Sequence, residues 1–431
     1  MSESMKYRAI ALMGAGSLLL AGCTPLASPP PGQNAPVSSH IAGTTGATQT
    51  PEAPKPDETA TTIKRARTLA ASYDYDAALK LLAGIDAPET ADATTEIKAA
   101  KSKAKVWATP NQIPHLFFHS LVVDTKRAFD GDDREQGYLD YMATIDEFNK
   151  IIAELHKRGY VLVNPEDFAG LDKNGKMKYR DIRLPAGKKP LVLSQDDVSY
   201  YEYMDGDGFP TKLLLDEHGK VKNSYADAAG KTTIGDYDMV PLLDSYVAKH
   251  PDFSYRGAKG IIALTGYNGV LGYRTSASEY PENKNLAQDT ATATAVADAM
   301  KKEGWVFASH AWGHIDMGRS PMPKFKHDMK LWDAEVRPII GDTDQFIYPF
   351  GADISGVPMY SGERYNLLKK DGFDFFYGVD GTTTAWMQQG DAYQRQARIN
   401  IDGLQFAKEL KGDRPVLKTF FDVKKVIDKD R

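Results

Sequence analysis

Two polar clusters in this chain contain residue types suited to metal-assisted hydrolysis. Asp196 and Asp197 directly follow an apolar run that predicts a strand. His310 and His314 follow a second such run. Two carboxylates and two imidazoles are enough to bind one divalent ion and leave an acid for proton transfer, because a zinc site with three protein ligands keeps a position open for water. The pKa of water bound there falls to about 7, which supplies hydroxide at neutral pH.

The spacing of the two histidines carries part of this prediction. On a helix, residues four apart lie on one face, and Ser309 ahead of them is a residue type favoured at a helix N-cap. A pair of histidines alone is more often structural, and Asp196 and Asp197 alone are typical of a turn or a helix cap. The two aspartates and two histidines together, placed directly after two predicted strands, predict a metal site. Adjacent residues on a turn point differently, so one carboxylate ligates the ion and the other accepts a proton from water.

Apolar strands alternate with helical patterns from residue 113 onward, which predicts an α/β fold with a parallel sheet or barrel. The predicted strands are residues 113–119, 160–163, 190–194, 260–264, 305–308, 346–348, 373–377 and 397–401, and the clearest helices are 140–158, 285–303 and 361–370. Polar residues follow the strands, at His119, Asp196, His310, Tyr348, Asp380 and Asp402. In such barrels the active site lies at the carboxyl ends of the strands.

A long aromatic insertion separates two of these strands, at about residues 198–259. It contains several tyrosines, among them Tyr200, Tyr201 and Tyr203, and residues 212–225 predict a β-hairpin. Aromatic rings beside a catalytic site commonly stack on sugars. The alternative is that each ring packs the insertion onto the barrel.

The amino-terminal residues predict an exported protein. Residues 1–22 read as a signal peptide, with Lys6 and Arg8 before an apolar stretch that is too short to span a membrane. The stretch ends at Cys23, the single cysteine of the chain, in a context that resembles a bacterial lipobox. Lipidation of Cys23 would make this a secreted protein anchored to the outer face of the cell membrane. The alternative is an ordinary signal peptide with an incidental cysteine.

The segments that follow predict a tether, a small helical unit and one large domain. Residues 23–59 are rich in Pro, Ala and Thr and predict a disordered tether. Residues 60–107 predict a helical hairpin of two helices, serving as a spacer or as a cap on the domain at residues 108–431. The formal net charge is −5 and is spread without long runs, so no basic face for nucleic acid is expected.

From about residue 113 to residue 402 the chain resembles the polysaccharide deacetylase family, the NodB-homology carbohydrate esterases. The resemblance implies a distorted (β/α) barrel of the NodB-homology type. It also implies that Asp196 is the catalytic base and that Asp197, His310 and His314 ligate a divalent metal, for which zinc is the expectation.

The same resemblance suggests where the substrate binds. Tyr348, Pro349, Phe350 and Gly351 are similar to the family segment that forms one wall of the groove and offers a backbone N–H to the oxyanion. Two further substrate contacts are expected at Tyr200 and Trp312.

The chain departs from the family pattern at residues that matter for catalysis. Gln195 and Val198 flank the aspartate pair where Phe and Gly are usual, and Ala311 replaces a Ser or Thr. Ile347 stands where the family has the arginine that orients the base. The late histidine that acts as general acid has no counterpart, so His119 or Asp402 is expected to protonate the leaving group.

Three functions are compatible with these observations. The first is a metal-dependent deacetylase that removes N-acetyl groups from cell-wall or extracellular polysaccharide. The second is a catalytically impaired glycan-binding lipoprotein of the same fold. The third, a solute-binding lipoprotein, is suggested only by the anchor and does not need the strand-end clusters. Metal content separates the third from the others, and turnover of an acetylated oligosaccharide separates the first from the second.

Overall fold

The computed structural model describes residues 56–413 and 415–431, and parallel strands form a closed barrel at its centre. In chain order the strands are β1 (Lys105–Val106), β2 (His115–Phe118), β3 (Tyr160–Leu162), β4 (Ala169–Leu171), β5 (Met177–Tyr179), β6 (Arg183–Leu184), β7 (Lys189–Gln195), β8 (Lys212–Leu215), β9 (Val221–Ala226), β10 (Thr232–Gly235), β11 (Gly260–Leu264), β12 (Trp305–Ser309), β13 (Gln345–Ile347), β14 (Phe375–Val379), β15 (Trp386–Gln389) and β16 (Gln394–Asn400).

The barrel ring runs β2, β7, β11, β12, β13, β14, β16 and back to β2, and every neighbouring pair is parallel. The ring formed by these described strands has seven members, whereas a regular barrel of this class has eight. The predicted distorted (β/α) barrel is therefore confirmed. Strand β3 pairs with the first half of β7, and β15 lies antiparallel beside β16. Small antiparallel sheets form from β1 and β6, from β4 and β5, and from β8, β9 and β10.

Helices surround the ring and fill the connections between its strands. They are α1 (Pro56–Ala71), α2 (Tyr75–Leu82), α3 (Pro88–Lys103), α4 (Thr125–Ala128), α5 (Glu135–Tyr141), α6 (Ile145–Lys157), α7 (Pro165–Phe168), α8 (Met239–Lys249), α9 (Leu286–Lys302), α10 (Met322–Glu335), α11 (Arg337–Ile340), α12 (Gly362–Lys370), α13 (Gly403–Lys411) and α14 (Val423–Val426). Short 3₁₀ turns occupy Glu202–Met204, Pro251–Phe253, Pro349–Gly351 and Leu417–Thr419.

Side chains alternate between the barrel interior and the helices, as the period of a strand requires. On β11, Ile262 and Leu264 belong to the core between barrel and helices. Ile261 and Ala263 belong to a second core, inside the ring. Because this second core is continuous with buried residues of the amino-terminal helices, such as Ala66, those helices cover the barrel. The packing therefore favours a cap over a spacer as the role of this segment.

The amino-terminal segment is helical, as predicted, but it contains three helices instead of a hairpin of two. The first break is at Tyr73, whose φ is 66°. Its hydroxyl donates to the carbonyl of Asp252 at 2.7 Å, which fixes the break against the barrel. The second break precedes α3, which begins at Pro88 because proline is favoured in a first helical turn.

Local capping also divides the helix predicted for residues 140–158. The chain leaves α5 at Met142 and starts α6 after Thr144. The Thr144 hydroxyl accepts from the backbone N–H of Glu147 at 3.1 Å, and the Glu147 carboxylate accepts from the Thr144 N–H at 2.8 Å. This capping box begins a new helix at a point where the apolar periodicity alone predicts continuity.

The predicted hairpin at residues 212–225 is confirmed as β8 and β9, which β10 extends to three strands. The predicted signal peptide, Cys23 and most of the tether lie outside the described residues. Residues 56–59, the end of the predicted tether, already belong to α1. Among the helices that the structure describes, none combines the length and apolar character needed to cross a membrane.

Candidate active site

A cavity of about 740 Å³ opens at the carboxyl end of the barrel strands. It is lined by eight of the predicted site residues: His119, Asp196, Asp197, His310, His314, Phe350, Gly351 and Asp402. These residues follow the ends of five strands, β2, β7, β12, β13 and β16, and closure of the ring brings them to one place. The residues therefore lie at the carboxyl end of the barrel, as predicted, because a parallel barrel brings the carboxyl ends of all its strands together.

Three of these residues form a group able to hold a metal ion. One ligand atom from each of Asp197, His310 and His314 lies within 4.8 Å of the others. Oδ1 of Asp197 is 4.0 Å from Nε2 of His310 and 3.8 Å from Nε2 of His314. The structure therefore brings together the three predicted ligands, facing each other through the atoms that bind metals.

The two histidines reach this position from a turn, so the predicted helix over residues 310–314 is wrong. Ala311 and His314 have φ values of 57° and 47°, in the left-handed region that a right-handed helix excludes. The Asp328 carboxylate on α10 accepts from the N–H groups of Trp312 and Gly313 at 2.7 and 2.8 Å. Ser309 accepts from the N–H of Ala311 at 3.3 Å and caps no helix. Contacts from a distant helix thus fix this backbone.

His310 is oriented for metal binding by the strand beside it. Its Nδ1 donates to the carbonyl oxygen of Ile347 at 2.8 Å, because a carbonyl only accepts. The proton therefore sits on Nδ1, and Nε2 presents its lone pair to the carboxylates. Burial lowers the pKa of His310 to about 4, against the opposing effect of Asp196 and Asp197. The imidazole is thus neutral near pH 7, the form that ligates a metal.

One carboxylate and two imidazoles suit zinc, and their surroundings fit this role. Burial alone would raise the pKa of Asp197, but His314 and His310 outweigh that effect and hold it below its usual value. The φ of Asp197 is 61°. A left-handed conformation at a residue other than glycine costs about 1–3 kcal/mol and is concentrated at functional sites.

The neighbouring Asp196 is held by an arginine that the sequence analysis did not assign. Arg398 on β16 donates from its two terminal nitrogens to Oδ1 and Oδ2 of Asp196, at 2.6 and 2.9 Å. Both side chains are buried. Burial alone would raise the pKa of Asp196, but Arg398 holds it well below its usual range, so the carboxylate is ionised. An arginine from the last strand thus supplies the contact that Ile347 cannot make.

Polar side chains inside the barrel keep Arg398 in place. Its guanidinium lies 3.3 Å from the Ser194 hydroxyl and 4.1 Å above the ring of Phe117. Ser194 in turn is 2.8 Å from Nε2 of His115, whose Nδ1 is 3.1 Å from Gln396. The sequence signal was the run of polar residues at alternate, inward-facing positions of β16, ending in Arg398 and Asn400.

The two predicted proton donors, His119 and Asp402, line the same cavity. Nδ1 of His119 donates to the Tyr141 carbonyl at 3.1 Å, which leaves Nε2 free for substrate. Asp402 caps α13 and accepts from the Gln405 N–H at 2.7 Å and from Asn400 at 2.6 Å. Burial raises the pKa of Asp402 against the effect of these two donors. Both carboxylate oxygens already have partners.

Only half of the predicted groove segment faces the cavity. Phe350 is 71% exposed, and its ring centroid lies 4.4 Å from that of His314. Gly351 also lines the cavity. Tyr348, however, is fully buried against Phe346 and Phe376, and Pro349 is buried as well. The expectation that Tyr348 and Pro349 contact substrate is corrected, since core packing takes up these side chains.

The expected substrate contacts at Tyr200 and Trp312 are also corrected. Tyr200 is buried, and its hydroxyl donates to Asp238 at 2.9 Å. The Trp312 indole N–H donates to Glu335 at 2.7 Å, away from the cavity. Neither residue lines the cavity, whereas Tyr203, from the same insertion, does. An aromatic-rich segment does not reveal which of its rings faces solvent.

A second group with metal-binding residue types lies outside the cavity, at His156, His250 and Asp252. Nε2 of His156 is 2.9 Å from Oδ2 of Asp252. The Lys188 ammonium donates to the same oxygen at 2.9 Å. Since a cation already neutralises this carboxylate, we interpret the group as a structural network.

Comparison with known proteins does not establish a function, so the function has to be inferred from the geometry of the site. No protein-family model matches the sequence, and no curated protein matches it. Among solved structures, the chain is similar to Streptococcus pyogenes deacetylase PplD in complex with acetate, with 15% sequence identity and a TM-score of 0.37. This similarity covers 69% of the present chain and 97% of that one. A likeness at this TM-score carries no conclusion about activity.

Proposed function

We propose that this chain is a metal-dependent hydrolase that removes N-acetyl groups from a cell-wall or extracellular polysaccharide. The observation that carries the proposal is a buried, arginine-paired carboxylate, Asp196, next to a three-residue metal-binding group. Oδ2 of Asp196 is 3.8 Å from Nε2 of His310. A base and a metal site that share one wall of an open cavity are the requirements for hydrolysis of an unactivated amide.

In this proposal the chain's own residues perform separate tasks. Asp197, His310 and His314 would hold the ion, and Asp196 accepts the proton of the attacking water. A divalent ion held there would supply Lewis acidity for the hydrolysis. Arg398 keeps Asp196 ionised and fixes the direction of its oxygens. Because both Asp196 and Arg398 are buried, neither has to reorganise during the reaction.

The leaving amine needs a proton, and His119 is the residue best placed to give it. Its Nδ1 is committed to the Tyr141 carbonyl, so Nε2 is the atom that faces the cavity. Asp402 is already bonded through both oxygens as a helix cap. We therefore assign proton donation to His119 and a structural role to Asp402.

A sugar substrate suits the walls of the cavity. Phe350 and Tyr203 are 71% and 49% exposed and both line it. Exposed rings beside a polar floor can stack on the apolar face of a pyranose while hydroxyl groups bond to polar side chains. Against the alternative of a silent glycan-binding lipoprotein, Arg398 supplies the contact to the base that Ile347 lacks.

We also propose that the mature protein is anchored through lipidated Cys23 on the outer face of the membrane, where extracellular glycan is accessible. The sequence around Cys23 is the only support for this part of the proposal. Membrane fractionation of the Cys23→Ser variant is the test, and a variant that stays in the membrane fraction would exclude this anchor.

Acetate release together with metal analysis tests the proposed function. Purified protein is expected to contain about one divalent ion per chain and to release acetate from N-acetylated oligosaccharides. His310→Gln is expected to lose both the ion and the activity, because a three-ligand site has no spare protein ligand. His250→Gln, in the second group, is the matched control and is expected to retain both. Metal-free wild type, or acetate release that survives loss of the ion, would refute the proposal.

The proton donor is tested by comparing two substrates. His119→Gln is expected to slow release from an N-acetyl sugar by about 10²-fold or more, the usual contribution of general acid catalysis. With 4-nitrophenyl acetate, whose leaving group departs without a proton, the same variant is expected to stay close to wild type. Asp402→Asn keeps a helix-capping oxygen and is expected to leave both rates nearly unchanged. The reverse pattern would assign the proton to Asp402.

A further inference from the structure

A tyrosine hydroxyl meets the carboxylate of the predicted metal ligand Asp197. The Tyr201 hydroxyl donates to Oδ1 of Asp197 at 2.5 Å. Oδ1 is also the oxygen that faces both histidines. A carboxylate oxygen has two lone pairs, so it can accept this bond and still bind an ion.

The direction of the hydrogen bonds behind Tyr201 follows from that contact. An ionised carboxylate only accepts, so Tyr201 donates to it and must accept from Thr265, whose Oγ1 is 2.9 Å away. Thr265 has one hydroxyl proton and therefore accepts from Ser199 at 3.0 Å. All three hydroxyl side chains are buried. The result is a chain of three oriented hydroxyls that ends on Asp197.

Stacking fixes the ring that carries the terminal hydroxyl. Tyr201 lies between Tyr203 and Tyr267, with ring centroids 5.7 and 5.1 Å away and interplanar angles of 16° and 17°. Stacked aromatic pairs contribute about 0.5–1.5 kcal/mol each beyond the area that they bury. The hydroxyl therefore has little freedom to leave Asp197.

We propose that Tyr201 is a positioning residue that presets Asp197 for metal binding, with Thr265 and Ser199 holding its hydroxyl. This inference rests on the metal site of the proposed function and adds a residue that touches no substrate. Hydrogen-bond partners of metal ligands typically change metal affinity by about 10- to 100-fold when removed. Loss of this donor also leaves Asp197 less stabilised as an anion.

The direct test is the dissociation constant of zinc for the full-length protein, measured by competition with a chromophoric chelator. Tyr201→Phe keeps the ring and the stack and is expected to weaken zinc binding by about 10- to 100-fold. Saturating zinc is expected to restore most of the turnover. Thr265→Val removes only the second hydroxyl of the chain and is expected to show a smaller loss in the same direction.

Tyr200→Phe is the matched control. It removes a buried hydroxyl from the residue next to Tyr201, and this hydroxyl donates to Asp238 and not to Asp197. Its zinc affinity is expected to equal that of wild type even if its melting temperature falls. If Tyr201→Phe and Thr265→Val both bound zinc with wild-type affinity while His310→Gln lost zinc, the proposed role of Tyr201 would be wrong. The proposed metal site would not be affected by that result. A wild-type protein that binds no divalent metal would overturn the proposed function as well.

Discussion

Asp196→Asn is expected to lower acetate release by about 10²–10⁴-fold, the range attributed to general acid–base catalysis, while zinc content stays at the wild-type level. The substitution keeps the size of the side chain but removes the basic oxygen that accepts the proton of water. Zinc is expected to remain because the three-residue metal group uses the neighbouring Asp197 and two histidines. Acetate release and metal content of one preparation provide both measurements.

Measuring zinc content separately from acetate release distinguishes a catalytic base from a metal ligand. Asp197→Asn is the matched comparison, since it changes the adjacent carboxylate and is expected to weaken zinc binding together with activity. If Asp196→Asn also lost zinc, both carboxylates would contribute to the ion and the division of roles would be wrong. If it lost neither zinc nor activity, another group would be the base.

The location of the site could be predicted because a parallel barrel places the carboxyl ends of all its strands at one end. The apolar run at residues 260–264 became β11 with unchanged bounds, and polar residues after other runs met in the cavity. The periodicity of buried strands is a local property of the sequence. So is the change from apolar to polar residues at a strand end, which places Asp196 and His310 without knowledge of any contact.

Contacts between distant segments account for what the sequence could not predict. The turn that carries His314 depends on Asp328, on a later helix, so local spacing wrongly favoured a helix. Arg398 on β16 reaches Asp196 after β7 only because the closed ring places β2 between these two strands. Tyr348 and Tyr203 both have aromatic residues near them in the sequence, yet one is buried and the other lines the cavity. Packing partners decide these outcomes.

The pair formed by Arg398 and Asp196 leads to the largest expected change in stability. Both side chains lie inside the barrel, and removing one partner of a buried ion pair costs about 3–5 kcal/mol. Arg398→Met is therefore expected to lower the free energy of unfolding by about this amount in urea titrations. The titrations use metal-free protein, because a bound ion would add its own stabilisation.

A double-mutant cycle separates the pair from the packing around it. Much of the loss in Arg398→Met comes from a buried carboxylate without a partner, so adding Asp196→Asn to this variant is expected to restore about 1–3 kcal/mol. Ser194→Ala is the control, because it removes the hydroxyl that contacts Arg398 at 3.3 Å and His115 at 2.8 Å but leaves the ion pair intact. It is expected to cost about 1–3 kcal/mol. A double variant no more stable than Arg398→Met would show that lost packing of the arginine, not its charge, is the cause.

Arg398→Lys tests whether the geometry of the pair matters for catalysis as well as its charge. Lysine keeps a positive charge but cannot hold both oxygens of Asp196 with a planar fork. A base misplaced by about 1 Å can lose about 10²-fold in rate, so kcat is expected to fall by about this factor while zinc content is unchanged. Wild-type kcat in Arg398→Lys would mean that charge alone prepares Asp196. A loss of kcat in Arg398→Lys without a loss of zinc would assign to Arg398 the orientation of the base.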